Sequence, residues 1–156
     1  MKFKRKQLED KMGLDMYAYV GRPGQQKEFY EQGGLEYNSK TDDWVVPAGG
    51  VQKPRQIAYW RKHPSLHGWM EQLWERKMIA EGVDNPHQFN GIELELTWED
   101  VDELERAVHH GQLPYTKGFF FGDPKDEYYK EDDLQFCIDA KTELFLGLKV
   151  FYNSSW

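Results

Sequence analysis

The sequence predicts a single α+β domain in which about three helices cover one face of a small sheet. Three observations support this fold class. The length of 156 residues suits one hydrophobic core, apolar residues recur at helical spacing in three segments, and strand-like segments lie before, between and after these helices. With 39% hydrophobic and 15% aromatic residues, the chain has enough large side chains to fold.

The first part of the chain predicts one strand, one irregular region and one helix. Leu14 to Val20 is rich in Tyr and Met and ends at a cluster of Gly and Pro, which is typical of a strand. The pattern over 25–53 is weak, and we expect a hairpin or a long mobile loop there. Pro64 is favoured in the first turn of a helix, and the apolar spacing after it predicts a helix that ends near Gly82.

The middle of the chain predicts a second strand followed by a second helix. Apolar and acidic residues alternate within Phe89 to Leu96, as they do in a half-buried strand. Thr97 followed three residues later by Asp100 resembles a capping box, which marks the start of a helix. That helix is expected to end at Gly111.

The last part of the chain predicts two short strands and a third helix. Gly118 to Gly122 encloses three Phe residues and is too short for a helix, which favours a buried strand. Apolar residues at helical spacing from Leu134 predict a third helix that stops near Gly147. The alternation from Lys149 to Tyr152 predicts a final strand.

The charge distribution narrows the classes of partner. The formal net charge of −7 argues against nucleic acid as a partner, because sequence-independent binding relies on a basic surface. Basic residues concentrate in residues 1–12, which we interpret as a short N-terminal arm before a domain over 13–156. No apolar run approaches the ~18 residues of a membrane span, so we expect no membrane partner and a cytoplasmic location.

Motifs for catalysis and cofactor binding are absent from the sequence. Neither common Gly-rich phosphate-binding pattern occurs. His63 and His67 have the spacing of a helical zinc site, but no Glu lies between them and no third ligand is evident. The lone Cys137 excludes an internal disulfide and lies on an apolar helical stripe, which favours core packing. We therefore predict no catalytic residue, no metal and no cofactor.

Aromatic and basic residues are the candidates for a binding site. Trp60, Arg61 and Lys62 precede the predicted helix at Pro64, where a stacking ring, two cations and backbone amides would suit an anion. Each ring taken singly is more often a core residue, but together they predict a pocket for a flat anionic ligand. The predicted ligand-binding residues are Tyr17, Tyr59, Trp60, Arg61, Lys62, His67, Lys117, Phe120, Tyr129, Ser154, Ser155 and Trp156.

The C-terminal Trp156 is expected to be tied down. A ring exposed to water at a chain end gains nothing. We expect Trp156 to pack against the fold or the rim of the pocket, while the hydroxyls of Ser154 and Ser155 hydrogen-bond to backbone or ligand.

Several short motifs are distributed between residues 13 and 156. They are Gly13-Leu14-Asp15-Met16-Tyr17, Tyr59-Trp60-Arg61-Lys62, Gly118-Phe119-Phe120-Phe121-Gly122, Glu127-Tyr128-Tyr129 and Ser154-Ser155-Trp156. With these motifs the chain resembles a family of small phage and prophage proteins. It differs from that family in its basic residues 1–12, in Pro64 and in the long loop before Val51. Some family members carry a phosphoglycerate kinase label, which does not fit a chain without a phosphate-binding loop.

The resemblance implies a phage-carried accessory protein, a class that often counters host defence. Together with the aromatic and basic residues, it favours a protein that sequesters a nucleotide-like host immune signal without cleaving it, in the cytoplasm of the infected host cell. Two alternatives stay open, an acidic inhibitor that binds a host enzyme and a small nucleotide-modifying enzyme that acts through His67. A homo-oligomer is also left open.

Overall fold

A computed structural model describes residues 13–83, 88–116 and 123–156. Within these residues the chain forms a four-stranded antiparallel sheet, a separate two-stranded hairpin and four helices. The single α+β domain is therefore confirmed, with one helix more than the sequence predicts. In chain order the elements are β1 (Asp15–Gly21), α1 (Gln25–Glu31), β2 (Glu36–Asn38), β3 (Asp43–Val45), β4 (Arg55–Arg61), α2 (Pro64–Ala80), β5 (Leu94–Leu96), α3 (Trp98–His109), α4 (Asp126–Phe145) and β6 (Lys149–Ser155).

The first and last strands lie side by side at the centre of the four-stranded sheet. The strand order is β4-β1-β6-β5, and each neighbouring pair is antiparallel. Asp15 of β1 lies opposite Arg61 of β4 and opposite Ser155 of β6. Because side chains alternate along a strand, β1 sends successive residues to opposite faces of the sheet.

One face of the sheet carries the hydrophobic core. Met16, Ala18, Trp60 and Tyr152 lie on this face, and each is at most 1% exposed. Helices α2, α3 and α4 cover this face, as the sequence pattern predicts. Their buried side chains include Leu66, Met70, Leu73, Val101, Leu104, Phe136 and Ala140.

Local sequence signals set the starts of the helices. Pro64 lies in the first turn of α2, where its missing N–H costs nothing. The Thr97 hydroxyl accepts a hydrogen bond from the backbone N–H of Asp100, and the Asp100 carboxylate accepts one from the N–H of Thr97, so the capping box of α3 is confirmed. Helix α4 starts at Asp126, well before Leu134, because the acidic run favourably occupies its N-terminal turns.

The segment over 25–53 contains the expected hairpin, β2–β3, and also α1, which the sequence pattern does not predict. Helix α1 has only seven residues, and its one buried side chain is Phe29. It follows Gly24, whose φ of 77° is a left-handed conformation that glycine adopts without strain. On the hairpin, the rings of Tyr37 and Trp44 lie 5.6 Å apart and are more than half exposed.

Strand β4 contains a β-bulge. Ala18 pairs with Ala58, but the next residue of β1, Tyr19, pairs with Gln56, so Ile57 is the extra residue. A bulge shifts the alternation of side chains by one position. Gln56 therefore faces the side of the sheet opposite to the core.

The boundaries of two predicted strands differ from those observed. Strand β5 spans only Leu94–Leu96, the last part of the predicted segment, and β6 continues beyond Tyr152 to Ser155. The predicted strand over 118–122 and the basic arm over 1–12 lie outside the described residues. None of the described helices is long and apolar enough to cross a membrane.

The C-terminal residue is held by Asn90. The side-chain amide of Asn90 donates to the carbonyl of Trp156 at 2.8 Å, and its carbonyl oxygen accepts from the backbone N–H of Trp156 at 3.1 Å. The ring N–H of Trp156 donates to the carbonyl of Phe89 at 3.2 Å, and the ring packs against the core. Trp156 is thus anchored to the fold, as expected from the sequence.

Replacing Asn90 with Ala should lower the free energy of unfolding by about 1–3 kcal/mol, since two hydrogen bonds to Trp156 are lost. The midpoint of urea denaturation measures this change. Asn38→Ala is the matched control, because Asn38 accepts one local hydrogen bond from the backbone of Lys40 in the β2–β3 hairpin. The Asn38 variant should lose less stability than the Asn90 variant, and an Asn90 variant as stable as the wild type would show that this anchor contributes nothing.

Candidate functional site

The face of the sheet opposite the core, which we call the open face, carries polar and aromatic side chains in three cross-strand rows. The rows are Asp15, Arg61 and Ser155; Tyr17, Tyr59 and Asn153; and Tyr19, Gln56 and Phe151. Successive rows lie two residues apart along β1 and β6, which is about 6.6 Å. On β4 the bulge separates Tyr59 from Gln56 by three residues. The rings of Tyr19 and Phe151 lie 5.8 Å apart and are each 2% exposed, so the third row is largely covered.

A groove of about 770 Å³ lies on the open face, between the sheet and the segment that carries α1. We call it the open-face groove. Its volume lies within the roughly 300–1,000 Å³ typical of small-molecule sites. The sheet contributes Tyr17, Tyr19, Gln56, Asn153, Ser154 and Ser155, and the surrounding segments contribute Gly24, Gln26, Lys27, Tyr30, Lys53, Pro54, Gly91, Ile92 and Glu93.

Glu93 ties the start of α1 to the sheet. Its two carboxylate oxygens accept hydrogen bonds from the backbone N–H of Gly24 at 2.9 Å and from the hydroxyl of Tyr19 at 2.8 Å. The side-chain amide of Asn153 donates to the same hydroxyl at 3.4 Å. Because these residues come from four separate parts of the chain, the network fixes the spacing between the walls of the groove.

The tyrosine hydroxyls of the open face remain protonated at neutral pH. Burial raises the pKa of Tyr17, and the nearby carboxylate of Asp15 raises it further. Burial is also the main cause of the raised pKa of Tyr19. Burial and then the hydrogen bond to Asp15 raise the pKa of Tyr59. A protonated phenol has one O–H to donate, and Tyr19 and Tyr59 already donate theirs to Glu93 and Asp15. This face therefore presents neutral aromatic rings to a ligand.

The lining of the groove carries a positive local charge on an acidic protein. Lys27 and Lys53 line the groove, and Glu93 is the one carboxylate among its described lining residues. Lys27 lies 3.7 Å from Glu31, and both side chains are largely exposed, so this pair is weak. Lys53 makes no ion pair with any residue that the structure describes. The groove therefore suits an anion.

Four predicted site residues come together on the open face. Tyr17 and Ser155 line the groove, and Tyr59 and Arg61 lie beside it. The rings of Tyr17 and Tyr59 have centroids 5.4 Å apart. One oxygen of Asp15 accepts hydrogen bonds from the Tyr59 hydroxyl at 2.6 Å and from Arg61 at 3.2 Å. Asp15 thus holds a ring and a cation in place at this end of the face.

Trp60 does not join Arg61 on a common surface, because consecutive residues of a strand face opposite sides. Its ring is 1% exposed in the core, and its N–H donates to Asp133 at 3.0 Å. The other carboxylate oxygen of Asp133 lies 2.8 Å from Nε2 of His63, and both of these residues are fully buried. Burial raises the pKa of Asp133, against the hydrogen bond from His63. The predicted stacking role of Trp60 is therefore wrong.

Lys62 and Tyr129 lie at the end of β4. Lys62 has a left-handed φ of 53°, and its backbone N–H donates to the carbonyl of Leu14 at 2.8 Å. A Cβ at Gly13 would collide with the Lys62 side chain, so that side chain lies across Gly13. The Tyr129 hydroxyl donates to the carbonyl of Arg61 at 2.8 Å and accepts from its N–H at 3.2 Å. These contacts end the strand and position Arg61.

The remaining predicted residues do not form a group at the groove. One is buried in the core, one lies at the lining of the groove, and two lie outside the described residues. His67 is buried in α2, where Nδ1 lies 2.7 Å from the Tyr152 hydroxyl, and burial lowers its pKa to about 4. Ser154 contributes to the groove lining but lies in the core-side row and is 2% exposed. Lys117 and Phe120 lie outside the described residues.

Two groups with catalytic chemistry, the Cys137 thiol and the His63–Asp133 pair, are buried. The described residues contain no group of three His, Cys, Asp or Glu side chains that could hold a metal ion. Cys137 is fully buried, and burial raises the pKa of its thiol to about 12, which opposes formation of the thiolate nucleophile. His63 and Asp133 form a hydrogen-bonded pair, but both lie out of reach of a substrate.

Comparisons with protein-family models, with curated proteins and with solved structures give no match to this chain. The residues of the open face are therefore the basis for inferring a function. Several of these residues are not predicted from the sequence. They are Lys27, Tyr30, Lys53, Gln56, Glu93 and Asn153, together with Tyr19.

The sequence holds a signal for only some of these residues. The alternation within β1 places Tyr19 on the same face as Tyr17, and the alternation within β6 places Asn153 beside Ser155. Gln56 reaches this face only because of the bulge at Ile57. The other residues come from segments whose position depends on tertiary contacts.

The stability of the protein should fall as the pH is lowered from 7 to 5, because His67 stays neutral in the folded state to about pH 4. Unfolded His67 takes up its proton near pH 6.5, so acid favours the unfolded state by about 2 kcal/mol at pH 5. Urea denaturation at several pH values measures this dependence. Because the pKa of Asp133 is raised in the folded state, uptake of a proton by this carboxylate stabilises the folded protein as the pH falls, which opposes the effect of His67.

A His67→Gln variant isolates the contribution of His67, since Asp133 is present in both proteins. The variant should lose most of the difference in stability between pH 7 and pH 5. His110→Gln, at an exposed position at the end of α3, should keep the pH dependence of the wild type. A His67 variant with an unchanged pH dependence would contradict this account.

Proposed function

We propose that the protein binds a nucleotide-like anionic small molecule in the open-face groove and sequesters it without cleaving it. The observation that carries the proposal is the meeting of tyrosine rings and lysines in one groove. Tyr17 and Tyr30 line it together with Lys27 and Lys53. An aromatic ring stacks on a nucleobase, and an ammonium group attracts phosphate.

The walls of the groove suit a ligand that has a flat part and a charged part. Tyr17 belongs to the sheet and Tyr30 to α1, so rings are available from two different elements. The amide side chains of Gln26 and Gln56 also line the groove, and each can donate and accept hydrogen bonds at the edge of a base. Stacking would supply affinity, and the amides would orient the base.

The biological role that we propose is removal of a host immune signal from solution. Its support is the resemblance to phage and prophage accessory proteins, and the site of action that we propose is the cytoplasm of an infected host cell. Sequestration needs a well-formed groove and a slow release of ligand, and it needs no nucleophile or general base. A homo-oligomer stays a prediction.

Lys53→Ala should weaken the binding of adenosine monophosphate by about tenfold or more, the usual effect of losing a charge-assisted hydrogen bond. Isothermal titration calorimetry measures the dissociation constant directly. Lys53 is exposed, so the melting temperature of the free variant should match that of the wild type.

Lys40→Ala is the control for this experiment, because it removes the same charge from an exposed position in the β2–β3 hairpin. It should leave the dissociation constant unchanged. Equal effects of the two substitutions would point to the overall charge of the protein rather than to the groove. Failure of the wild type to bind any of a panel of mononucleotides and dinucleotides would refute the proposed function.

A bound nucleotide should be recovered unchanged from the protein. Incubation with an excess of nucleotide over protein, denaturation of the protein and chromatography of the supernatant measure the recovery. Full recovery of the starting compound agrees with sequestration. Conversion of more than one equivalent of nucleotide would instead support the enzyme alternative and contradict storage of an intact ligand.

A further inference from the structure

The open face continues beyond the groove to a second aromatic position. Tyr59 is 48% exposed and is not part of the groove lining. Its neighbour Tyr17 is part of that lining, and the two ring centroids are 5.4 Å apart with an angle of 49° between the planes. A ligand that fills the groove beside Tyr17 therefore has a free ring immediately outside it.

The Tyr59 ring is held in a fixed orientation. Its hydroxyl donates to Asp15 at 2.6 Å, and Arg61 donates to the same oxygen at 3.2 Å. A ring that is already immobilised loses little conformational entropy when a base stacks on it. Arg61 lies beside the ring and pairs with Asp15, so the carboxylate next to a stacked base is compensated by a positive charge.

The geometry of the sheet separates the two aromatic positions. Tyr17 and Tyr59 lie side by side on neighbouring strands, and their ring planes are inclined by 49°. Two bases on these positions would therefore be unstacked from one another, and each would contact its own ring. Exposed rings on an open antiparallel sheet bind successive bases of single-stranded nucleic acid in this manner.

We propose that the ligand is a dinucleotide, with one nucleoside in the groove and the second base on Tyr59. This inference rests on the proposed nucleotide-binding function. Lys27 and Lys53 lie on the groove side, close to the first nucleotide, and Arg61 beside Tyr59 stays paired with Asp15. The segment carrying α1 limits the groove at its far side, which favours two nucleotides over a longer strand.

The test compares the dissociation constants of adenosine monophosphate, linear diadenylate and cyclic diadenylate by calorimetry. The wild type should bind at least one of the two dinucleotides about tenfold or more tightly than the mononucleotide, as expected for one additional stacked base. Tyr59→Ala should reduce this ratio to near one. Tyr59→Phe keeps the ring and should keep most of the preference.

Tyr115→Ala is the control, because it removes a tyrosine ring that is 79% exposed and lies outside the groove lining. It should keep the preference of the wild type. If the mononucleotide and both dinucleotides bind equally, and Lys53→Ala weakens all three, the dinucleotide inference is wrong while the proposed function stands. If neither these three probes nor any other member of the panel of mononucleotides and dinucleotides binds, the proposed function itself is wrong.

Discussion

The alternation of side chains along β1 determines both the core and the candidate site. Because β1 is paired on both sides, its register with β4 and β6 decides which of their residues share a face. Met16 and Ala18 enter the core, and Asp15 and Tyr17 face the other way. A slip of one residue would exchange the two sets, burying a carboxylate and exposing apolar side chains. The burial of apolar side chains of β1 in the core therefore also fixes the register of the tyrosines on the open face.

The two walls of the groove are stabilised by different interactions. The sheet wall is backed by the hydrophobic core. The opposite wall includes α1, which is too short to be stable as an isolated helix. It is held by the burial of Phe29, by the hydrogen bond from Gly24 to Glu93 and by the bond from the Gln25 side chain to the carbonyl of Gln52. The sheet wall of the groove therefore depends on packing of the core, whereas the opposite wall depends mainly on hydrogen bonds.

Features with a local cause can be predicted from the sequence. The capping box of Thr97 and Asp100 and the helix start at Pro64 depend on residues within one turn. The α+β class is predictable for the same reason, because the spacing of apolar residues that indicates each helix and strand is also a local feature. Helix α1 is not predictable from its own seven residues, because its support comes from Glu93, far away in the sequence.

The candidate site is only partly predictable, since it depends on which strands pair. Tyr17, Tyr59, Arg61 and Ser155 meet on one face, but their sequence positions do not reveal that β4 and β6 flank β1. The sequence pattern does not predict strand β4, so Trp60 and Arg61 are expected from the sequence on a common surface. The bulge that turns Gln56 towards the groove has no sequence marker that we can identify.

The pairing of β1 with β6 also has a kinetic consequence for the protein. Asp15 lies opposite Ser155, so almost the whole chain must be closed into a loop before the centre of the sheet exists. Such distant contacts slow folding, because the entropy of loop closure is lost before the contacts are gained. Helix α3 and its contacts with α4 involve closer segments and can form earlier. The open face, which requires both central strands, is therefore completed late, so a chain that has only its helices in place lacks the open-face groove.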